Sequence, residues 1–366
     1  MDRIEVLRSI TELEQLAPAW AELVSMSGHA LCEPAWCLNA ARFVHGPDDQ
    51  LHAIALWRDR QLVGFAPLIL SRSSGSLRYE IAGSRVLCEP AEIPTRDIEA
   101  AASMAEAIMR LDRPVWLGRL AADSAFLSAF KARAHRSGIL LSPGSSGSLY
   151  VALSECSASN YEPLSSRTRD IVRRAERALA KLGEVDVRFA RPAPSEVAGM
   201  LTEAFEVELQ SWKGRAGSAV LQRADLREFF FHYGQDCAAA GDLVIATLRL
   251  DGQVIAAHVA NTARRSYRLL KIAYDERQAK YRPGLQLLRA SLRWALEQKL
   301  ETYEFMGVEE RWIRDWTDRV HDHRSVLFYP FNARGIGAFA RDAALRVGRR
   351  GIGVLRRAAR GRAGES

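Results

Sequence analysis

The run Tyr281-Arg282-Pro283-Gly284-Leu285 joins a strand-like segment, residues 268–274, to a strongly periodic helix, residues 285–300. Pro283 suits a helix entry because its ring fixes φ and it has no N–H group to leave unpaired. Gly284 allows a phosphate to approach the backbone closely. Since the first free N–H groups of the helix would converge where its dipole is positive, we predict a pyrophosphate site here. An ordinary helix-entry turn is the alternative.

A second group of cationic residues crowds the helix predicted over residues 166–182. Arg169, Arg173 and Arg177 are spaced by four, which places them in one stripe along the helix. Such a stripe would fit a phosphate-bearing acceptor, for example a nucleotide-sugar or a lipid-pyrophosphate sugar. A solvated basic face is the alternative.

Histidine and cysteine give little sign of metal or redox chemistry. His321 and His323 alternate on an extended segment, but no third ligand is evident, so we expect no metal. His258, flanked by alanines on a predicted strand, is expected in the core or in a groove. The five cysteines form no CxxC pair and are odd in number, which favours reduced thiols in the cytoplasm.

The net charge of +7 is confined to the end of the chain. Residues 331–366 hold nine arginines, no lysine and two acids, and the remaining 330 residues carry 42 basic and 42 acidic side chains. A neutral body argues against a general nucleic-acid binder. The charged residues 1–5 precede no apolar run, and no stretch of 18 apolar residues occurs, so we expect neither a secretory signal nor a membrane-spanning helix.

The elements that must position these residues include two hairpin patterns. Residues 53–70 and 244–261 each place a polar turn between two apolar runs, and the second turn is Asp251-Gly252. The runs after the turns are similar, since Gln61-Leu62-Val63-Gly64 matches Gln253-Val254-Ile255-Ala256. We therefore predict a duplicated α/β unit of roughly 150 residues. Two unrelated hairpins are the alternative.

The length of 366 residues favours two domains, and a turn-rich stretch at residues 142–148 marks the boundary. We predict a first lobe over residues 1–155, a second lobe over 164–330 and a basic tail over 331–366. The other elements predicted in the second lobe are helices over 166–182, 195–212, 225–240 and 285–300, and strands over 302–306 and 325–331.

Five short motifs follow one another in the second half of the chain. They are Ser211-Trp212-Lys213, Ala273-Tyr274-Asp275, Arg282-Pro283-Gly284, Tyr303-Glu304-Phe305-Met306-Gly307, and Trp312 with Trp316-Thr317. Over residues 164–317 they resemble the motif series of the CelD-type (BioF-like) acetyltransferase domain of the GNAT acyl-CoA N-acyltransferase superfamily. The whole chain resembles the two-lobed form of this family, to which the FemABX-type aminoacyl transferases are related. The resemblance implies an α/β (α+β) fold of tandem GNAT-like lobes, each a mixed, largely antiparallel sheet flanked by helices.

The resemblance also implies acetyl-CoA as co-substrate, without a metal. The groups expected at its pyrophosphate are the N–H groups of Gly284, Leu285 and Gln286, and the guanidinium of Arg282. The strand Lys271-Ile272-Ala273 would pair with the pantetheine arm and offer an N–H to the thioester oxygen. No comparable Pro-Gly turn follows the hairpin over 53–70, so the cofactor is assigned to the second lobe only.

The acid–base groups follow from the same resemblance. Asp275 and Glu304 are the candidate bases, because in a GNAT-like sheet their strands are neighbours that separate at the acyl site. Tyr274 or Tyr303 would return a proton to the leaving thiolate. The alternatives are structural: an aspartate that caps a turn, a glutamate on a solvent-facing strand and tyrosines that pack in the sheet.

The acceptor would lie against the helix that ends at Trp212 and Lys213. The indole would support the face of a sugar and the ammonium group would bind a phosphate. Arg169 and Arg173 would contact the same phosphate-bearing acceptor. For Lys213, a charge that complements the helix dipole is the alternative.

The tail mixes arginine with apolar residues that share one helical face: Ile336, Phe339, Ala340, Ala343 and Val347. A basic amphipathic segment over 334–362 predicts peripheral contact with an anionic membrane. Because its glycines weaken a helix, a disordered basic tail is an alternative, and an Arg-rich site for a cyclic dinucleotide is another.

These observations together predict a cytoplasmic N-acyltransferase, with peripheral contact at the inner face of the membrane, that acetylates an amino group. The resemblance suggests that this amine belongs to an envelope or exopolysaccharide sugar precursor. Two rivals stay open. One is a FemABX-type aminoacyl transferase that uses aminoacyl-tRNA, against which the neutral body argues. The other is a non-catalytic GNAT-like scaffold that senses a nucleotide, which the sparse glycines of the turn favour.

Overall fold

The computed structural model describes residues 2–25, 31–73, 75–156 and 166–345, and it divides them between two lobes of mixed α/β structure. The predicted fold class, tandem α/β lobes with helices on the faces of mixed sheets, is confirmed. Within the described ranges, no helix has the length and apolar character needed to cross a bilayer.

The first part of the chain alternates strands and helices. Its elements are β1 (Arg3–Leu7), α1 (Ile10–Val24), α2 (Pro34–Asn39, continued by a π-helical turn over Ala40–Val44), β2 (Gln50–Leu51), β3 (Ala53–Arg58), β4 (Gln61–Ala66), β5 (Leu68–Ser73), β6 (Ser76–Ile81), α3 (Ser84–Leu87), α4 (Ile98–Met109), β7 (Val115–Ala121), α5 (Ala125–Ala134), β8 (Gly138–Leu141) and β9 (Ser148–Ala152).

The second part repeats this alternation. Its elements are α6 (Ser166–Leu179), β10 (Val185–Ala190), α7 (Val197–Leu209), α8 (Trp212–Arg215), α9 (Ala224–Ala239), β11 (Leu243–Leu250), β12 (Gln253–Asn261), β13 (Ser266–Tyr274), α10 (Pro283–Glu297), β14 (Thr302–Glu304), β15 (Val320–His321), β16 (His323–Pro330) and α11 (333–345). The elements predicted here are present and differ at their ends. The helix expected over 195–212, for example, ends at Leu209, and Trp212 begins a separate short helix.

Both predicted hairpins form. β3 pairs with β4, and β11 pairs with β12, in antiparallel register. At the second turn, Asp251 and Gly252 have φ values of 49° and 80°, as a two-residue hairpin turn requires. The Asp251 carboxylate also accepts a hydrogen bond from the Glu184 N–H at 2.8 Å, which fixes the start of β10 beside this turn.

The strands of the first lobe lie in two sheets, and the chain passes from one to the other at Pro67. β4 belongs to the order β1-β3-β4, whereas β5 belongs to the order β2-β5-β6-β7-β16-β8. The second lobe has the order β10-β11-β12-β13-β14-β9-β15. Each lobe also contains a parallel neighbouring pair, β6 with β7 in the first and β13 with β14 in the second.

The lobes exchange strands. β9, which follows the first lobe in sequence, lies between β14 and β15 in the second sheet. β16, which ends the second lobe in sequence, lies between β7 and β8 in the first. The predicted lobe limits at residues 155 and 164 therefore divide the sequence, whereas each of these two sheets contains one strand from the other side of the limits.

A shared hydrophobic core joins the lobes. Buried residues of α1 and α2 form one contiguous cluster with those of α7 and α9. Trp36 of α2 packs edge-on against Phe229 and Tyr233 of α9, at ring-centroid distances of 4.9 and 5.1 Å. Arg268 of β13, which is 1% exposed, forms an ion pair with Glu33 before α2. The α7–α9 face of the second sheet therefore looks toward the first lobe, while α10 covers the opposite face.

Candidate active site

The parallel strands β13 and β14 stay together only at their beginnings. Their paired residues are Ser266 with Thr302, Tyr267 with Tyr303, and Arg268 with Glu304. From Leu269 onward, β13 pairs with β12 alone among the described strands, beside a bulge between Val259 and Ala260 of β12. The edge of β13 that faces β14 is therefore open, and an extended ligand with amide groups would pair with it as an added strand.

The residues predicted to hold the pantetheine arm, Lys271, Ile272 and Ala273, lie on this open edge. Ile272 packs with the cluster that α10 covers, and Ala273 packs with the α7–α9 cluster. Neighbouring side chains of β13 thus lie on opposite faces of the sheet. A ligand paired with this edge could therefore be approached from either face.

The predicted phosphate cradle follows at the end of β13. A 3-10 turn, Glu276–Tyr281, leads to Arg282, whose φ of 51° is left-handed, and α10 follows. The N–H groups of Leu285 and Gln286 both donate to the Arg282 carbonyl at 3.1 Å. Of the three amides predicted to face a pyrophosphate, only that of Gly284 has no hydrogen bond within the described chain. This corrects the prediction for the other two, because the Arg282 carbonyl already occupies them.

Gly284 also makes room for a neighbouring ring. A Cβ atom at this position would lie 3.2 Å from Cδ1 of Tyr274, which is closer than most side-chain contacts. The Tyr274 side chain remains 37% exposed. The structure therefore places the predicted proton donor beside the predicted cradle.

Basic side chains border this turn. Helix α6 packs against the turn and against α10, where Arg289 forms an ion pair with Glu176 at 3.3 Å. Arg282 and Arg173 are exposed and Arg169 is partly buried, and these three make no ion pair with the described residues. Unneutralised guanidinium groups next to a helix N-terminus would attract a phosphate.

Asp275, one of the two predicted bases, instead holds the turn. Its side chain is buried, and its carboxylate accepts hydrogen bonds from the backbone N–H, Nε and Nη2 of Arg277 at 2.8–3.1 Å. Both oxygens are occupied by one residue two positions later. This geometry gives Asp275 the structural role that the sequence analysis kept as its alternative.

Glu304, the other predicted base, shares a face with its register partner Arg268 and so looks toward the first lobe. Its carboxylate is buried and lies 3.2 Å from Nε2 of His321. The His321 side chain is 21% exposed, and its ring stacks on Tyr150 with centroids 3.9 Å apart. A buried carboxylate beside a partly exposed imidazole can take up a proton and pass it toward solvent.

The two alternating histidines have separate contacts. His323 is fully buried, with Nε2 at 3.2 Å from Oγ of Ser148, whereas His321 faces Glu304. The described ranges contain no group of three or more side chains able to hold a metal ion. His258 is fully buried, and burial lowers its pKa to about 3, which makes it a neutral core residue.

Lys271 contributes a side chain as well as backbone. Its Nζ lies 4.7 Å from the ring centroid of Phe230, and burial, with the nearby Lys213, lowers its pKa. Lys213 donates to Oε1 of the buried Glu208 at 2.8 Å. Trp212 leaves 59% of its surface exposed. The structure thus brings Lys213 and Lys271 together on the face of β13 that looks toward the first lobe. The exposed indole of Trp212 lies at the edge of this face.

A tetrapeptide that occurs twice supplies the first lobe's part of the site, and the sequence analysis missed it. Leu31-Cys32-Glu33-Pro34 and Leu87-Cys88-Glu89-Pro90 each place a carboxylate against the second lobe. Glu33 pairs with Arg268, and Oε2 of Glu89 accepts from the Gly307 N–H at 2.6 Å. Burial raises the pKa of Glu89, against the lowering effects of that amide and of Lys271. The repetition itself was the available signal.

Arg119 of β7 was also missed. It is 9% exposed and has a left-handed φ of 53°. Its Nη2 donates to Oγ of Ser148 at 2.6 Å and to the Gly307 carbonyl, while Nε and Nη1 have no partner among the described residues. Together with Glu89, Arg119 holds Gly307 against the first lobe and so fixes where the chain leaves β14.

Comparison with known proteins concerns the domain and the fold. Residues 166–314 match the model of a protein family described as an acetyltransferase (GNAT) domain. The matched residues include β13, the turn at Arg282 and β14. Among curated proteins, none matches the chain.

Several solved structures have a similar fold over both lobes. The crystal structure of FemX is 12% identical, with a TM-score of 0.57 over 90% of this chain and 98% of that one. A conserved protein of unknown function from Bacteroides thetaiotaomicron is 9% identical, with a TM-score of 0.53 over 90% and 99%. The C-terminal domain of a putative lysylphosphatidylglycerol synthetase from Agrobacterium fabrum is 12% identical, with a TM-score of 0.52 over 92% and 95%. At these identities the likeness is one of fold.

Proposed function

We propose that this chain, which carries a GNAT acetyltransferase domain over residues 166–314, transfers an acetyl group from acetyl-CoA to an amine. The domain makes it an acyltransferase; the donor and the acceptor are our inference. One observation carries the proposal: the open edge of β13 ends next to the left-handed turn at Arg282. The edge suits an extended arm that contains amides, and the turn suits the phosphates at the end of that arm.

The donor would lie along this edge. Residues 271–273 would pair with the pantetheine arm, and one of their N–H groups would polarise the thioester carbonyl. The Gly284 N–H and the Arg282 guanidinium would bind the pyrophosphate, with Arg169 and Arg173 nearby on α6. The amides of Leu285 and Gln286 would contribute through the helix dipole, since their hydrogens are already bonded.

Glu304 would act as the base. It would accept the proton of the attacking amine, and His321 would pass that proton toward solvent because its ring is the more exposed of the pair. The amine nitrogen then forms a bond to the acetyl carbon while the carbon–sulfur bond breaks. The leaving thiolate would take a proton from solvent at the open edge, because Tyr274, exposed beside Gly284, lies at the phosphate end of the arm.

The acceptor would lie on the first-lobe face of β13. Trp212 offers an exposed ring for the face of a sugar. Lys213 donates one hydrogen to Glu208, and another hydrogen of its ammonium group would bind a phosphate. An amino sugar of an envelope or exopolysaccharide precursor has both groups. Such a precursor would bring the protein to the inner face of the membrane, with contact through the basic segment 334–362, of which residues 346–362 lie outside the described ranges.

Titration calorimetry with acetyl-CoA tests the donor site. We expect the wild-type protein and Gly199→Asp to bind, and Gly284→Asp not to bind, because the new carboxylate would meet the phosphates. Gly199 is a matched control, since a Cβ atom there would contact nothing within 4 Å. Circular dichroism checks that each variant is folded. A wild-type protein that does not bind acetyl-CoA would overturn the donor assignment.

A further inference from the structure

A cavity on the first lobe is lined by arginine and lies away from the proposed acyl-transfer site. Its volume is about 470 Å³, and it is open to solvent. The guanidinium groups around it belong to Arg72 of β5, Arg113 before β7, and Arg334 and Arg341 of α11. The rest of its wall is small or apolar, and no acidic residue of the described chain lines it. We call it the arginine pocket.

The charge of the arginine pocket is poorly neutralised. Arg334 forms an ion pair with Asp112, and Arg341 donates to the Gly75 carbonyl. Arg72 and Arg113, which also line the pocket, form no side-chain hydrogen bond and no ion pair with the described residues. The nearby Asp342 is no partner for them, because it is buried and bound by Arg78 and the Tyr329 hydroxyl. Like charges that converge on one cavity favour an anion between them.

The chemistry of the pocket selects a phosphate. Planar guanidinium groups bind phosphate oxygens through paired hydrogen bonds, and several of them together can surround one phosphate group. Arg334 and Arg341 stand seven residues apart on α11, so they lie on one side of the helix. Arg72 and Arg113 line the same cavity from β5 and from the residues before β7.

Exposed apolar side chains of α11 and of the residues just before it favour a lipid as the source of that phosphate. Phe331, Ile336 and Leu345 are 58%, 52% and 44% exposed. Leu345 follows Arg334 and Arg341 on the same side of α11. The sequence then continues over residues 346–366 with seven arginines and one acid. Arginine next to exposed apolar side chains is the pattern of a surface that docks on anionic membrane.

We propose that the arginine pocket binds the phosphate of an anionic phospholipid headgroup and thereby docks the first lobe on the membrane. None of the pocket residues belongs to the β13–β14 cleft, so this site is independent of acetyl-CoA binding. A freely soluble phosphate compound would need the pocket alone, whereas a lipid would also use the exposed Leu345 on the same side of α11.

Vesicle sedimentation of the full chain tests the proposal. Vesicles of phosphatidylcholine alone are compared with vesicles of phosphatidylcholine and phosphatidylglycerol in equal parts. We expect binding to the mixed vesicles only, and at least a roughly tenfold loss for the double variant Arg72→Glu/Arg113→Glu. The matched control is Lys131→Glu/Arg136→Glu, which changes the charge of the same lobe equally at exposed positions and should bind as the wild type does. Acetyl-CoA binding should be unchanged in both double variants.

The other outcomes would overturn it. Equal loss in both double variants would mean that net charge, not the pocket, drives binding. Unchanged binding in Arg72→Glu/Arg113→Glu would assign the contact to the rest of the basic tail. Binding of inorganic phosphate by the wild-type protein, without sedimentation on mixed vesicles, would make the ligand a soluble phosphate compound.

Discussion

The two lobes contain the same parallel strand pair but use it differently. In the second lobe, β13 and β14 separate after Arg268 and Glu304 and leave an open edge. In the first lobe, β6 and β7 also pair briefly, and Ala91 then bridges Leu120 of β7. Residues 94–96 continue from there along β4, with backbone hydrogen bonds to Val63 and Phe65. We call residues 91–96 the plug, because Ala91 occupies an edge of β7 next to the parallel pair.

The turns after the parallel strands differ as well. The second lobe continues through Arg282 into the long helix α10, whereas β6 leads through Gly83 into α3, which has only four residues. A helix this short has little dipole to offer an anion. The first lobe therefore has the parallel strand pair without the open edge and the long helix that the proposed acetyl-CoA site uses. The first lobe contributes instead the carboxylates of Glu33 and Glu89, which face its neighbour.

The largest effect is expected on kcat, from a substitution that removes the proposed base in the second lobe. Glu304→Gln removes the proposed base, so kcat for acetyl transfer should fall by about 10²- to 10⁴-fold while acetyl-CoA binding is kept. Steady-state kinetics and calorimetry measure the two quantities. The matched first-lobe variant is Glu89→Gln, for which we expect a smaller loss. If Glu89→Gln lost as much as Glu304→Gln, the division of roles between the lobes would be wrong.

The next effect concerns the core that makes the lobes one unit. Trp36→Ala should lower the free energy of unfolding by about 3–5 kcal/mol, because the indole is buried against two rings of α9. Denaturant titration followed by circular dichroism measures this loss and should show a single transition. Trp212→Ala, at an exposed indole, is the control and should change stability by about 0.5 kcal/mol or less. Two separate transitions in the wild-type protein would mean that the lobes unfold independently.

The smallest effect concerns the plug. Burial raises the pKa of Glu92 from 4.5 to about 7, against hydrogen bonds from Ser124 and the Ile93 N–H. Because the folded state holds this proton more tightly, the associated stability is complete below pH 4.5 and is lost as the pH rises through about 7. The loss is up to about 3 kcal/mol in wild type, and Glu92→Gln should not show it.

Thermal unfolding at a series of pH values measures that difference. Glu99→Gln serves as the matched control, since the Glu99 side chain is 86% exposed and should leave the pH dependence unchanged. A Glu92→Gln variant with the pH profile of the wild type would show that the plug does not hold a buried, protonated carboxyl.

The sequence predicted those structural features that depend only on residues close together in the chain. The Asp251-Gly252 turn and the entry of α10 were both visible, because turn and helix signals lie within a few positions of one another. Asp275 binds Arg277 only two residues away, which agrees with the turn-capping alternative that the sequence left open beside the role of base. The Gln286 N–H makes the first helical hydrogen bond to the Arg282 carbonyl, as in any helix that begins at Pro283, so its engagement could have been predicted from the helix entry.

The first lobe's part of the site could not be predicted in the same way. Glu33 meets Arg268 across 235 positions, and Glu89 meets Gly307 across 218. Such contacts depend on how two sheets pack, and periodicity carries no information about packing between lobes. The repeated Leu-Cys-Glu-Pro tetrapeptide was the one trace that these contacts left in the sequence.

The strand exchange has a consequence for how the protein is made. During translation, β7 and β8 are synthesised long before β16, the strand that lies between them. The Arg119 N–H likewise donates to the hydroxyl of Ser325, which comes 206 residues later in the chain. The nascent first lobe therefore carries an unfilled gap that can close only near the end of translation. Folding of this kind is slow, because distant segments must find each other, and the waiting edges are open to wrong partners. A chain truncated before residue 323 would lack β16, which lies between β7 and β8. All the other strands of that sheet would already have been synthesised.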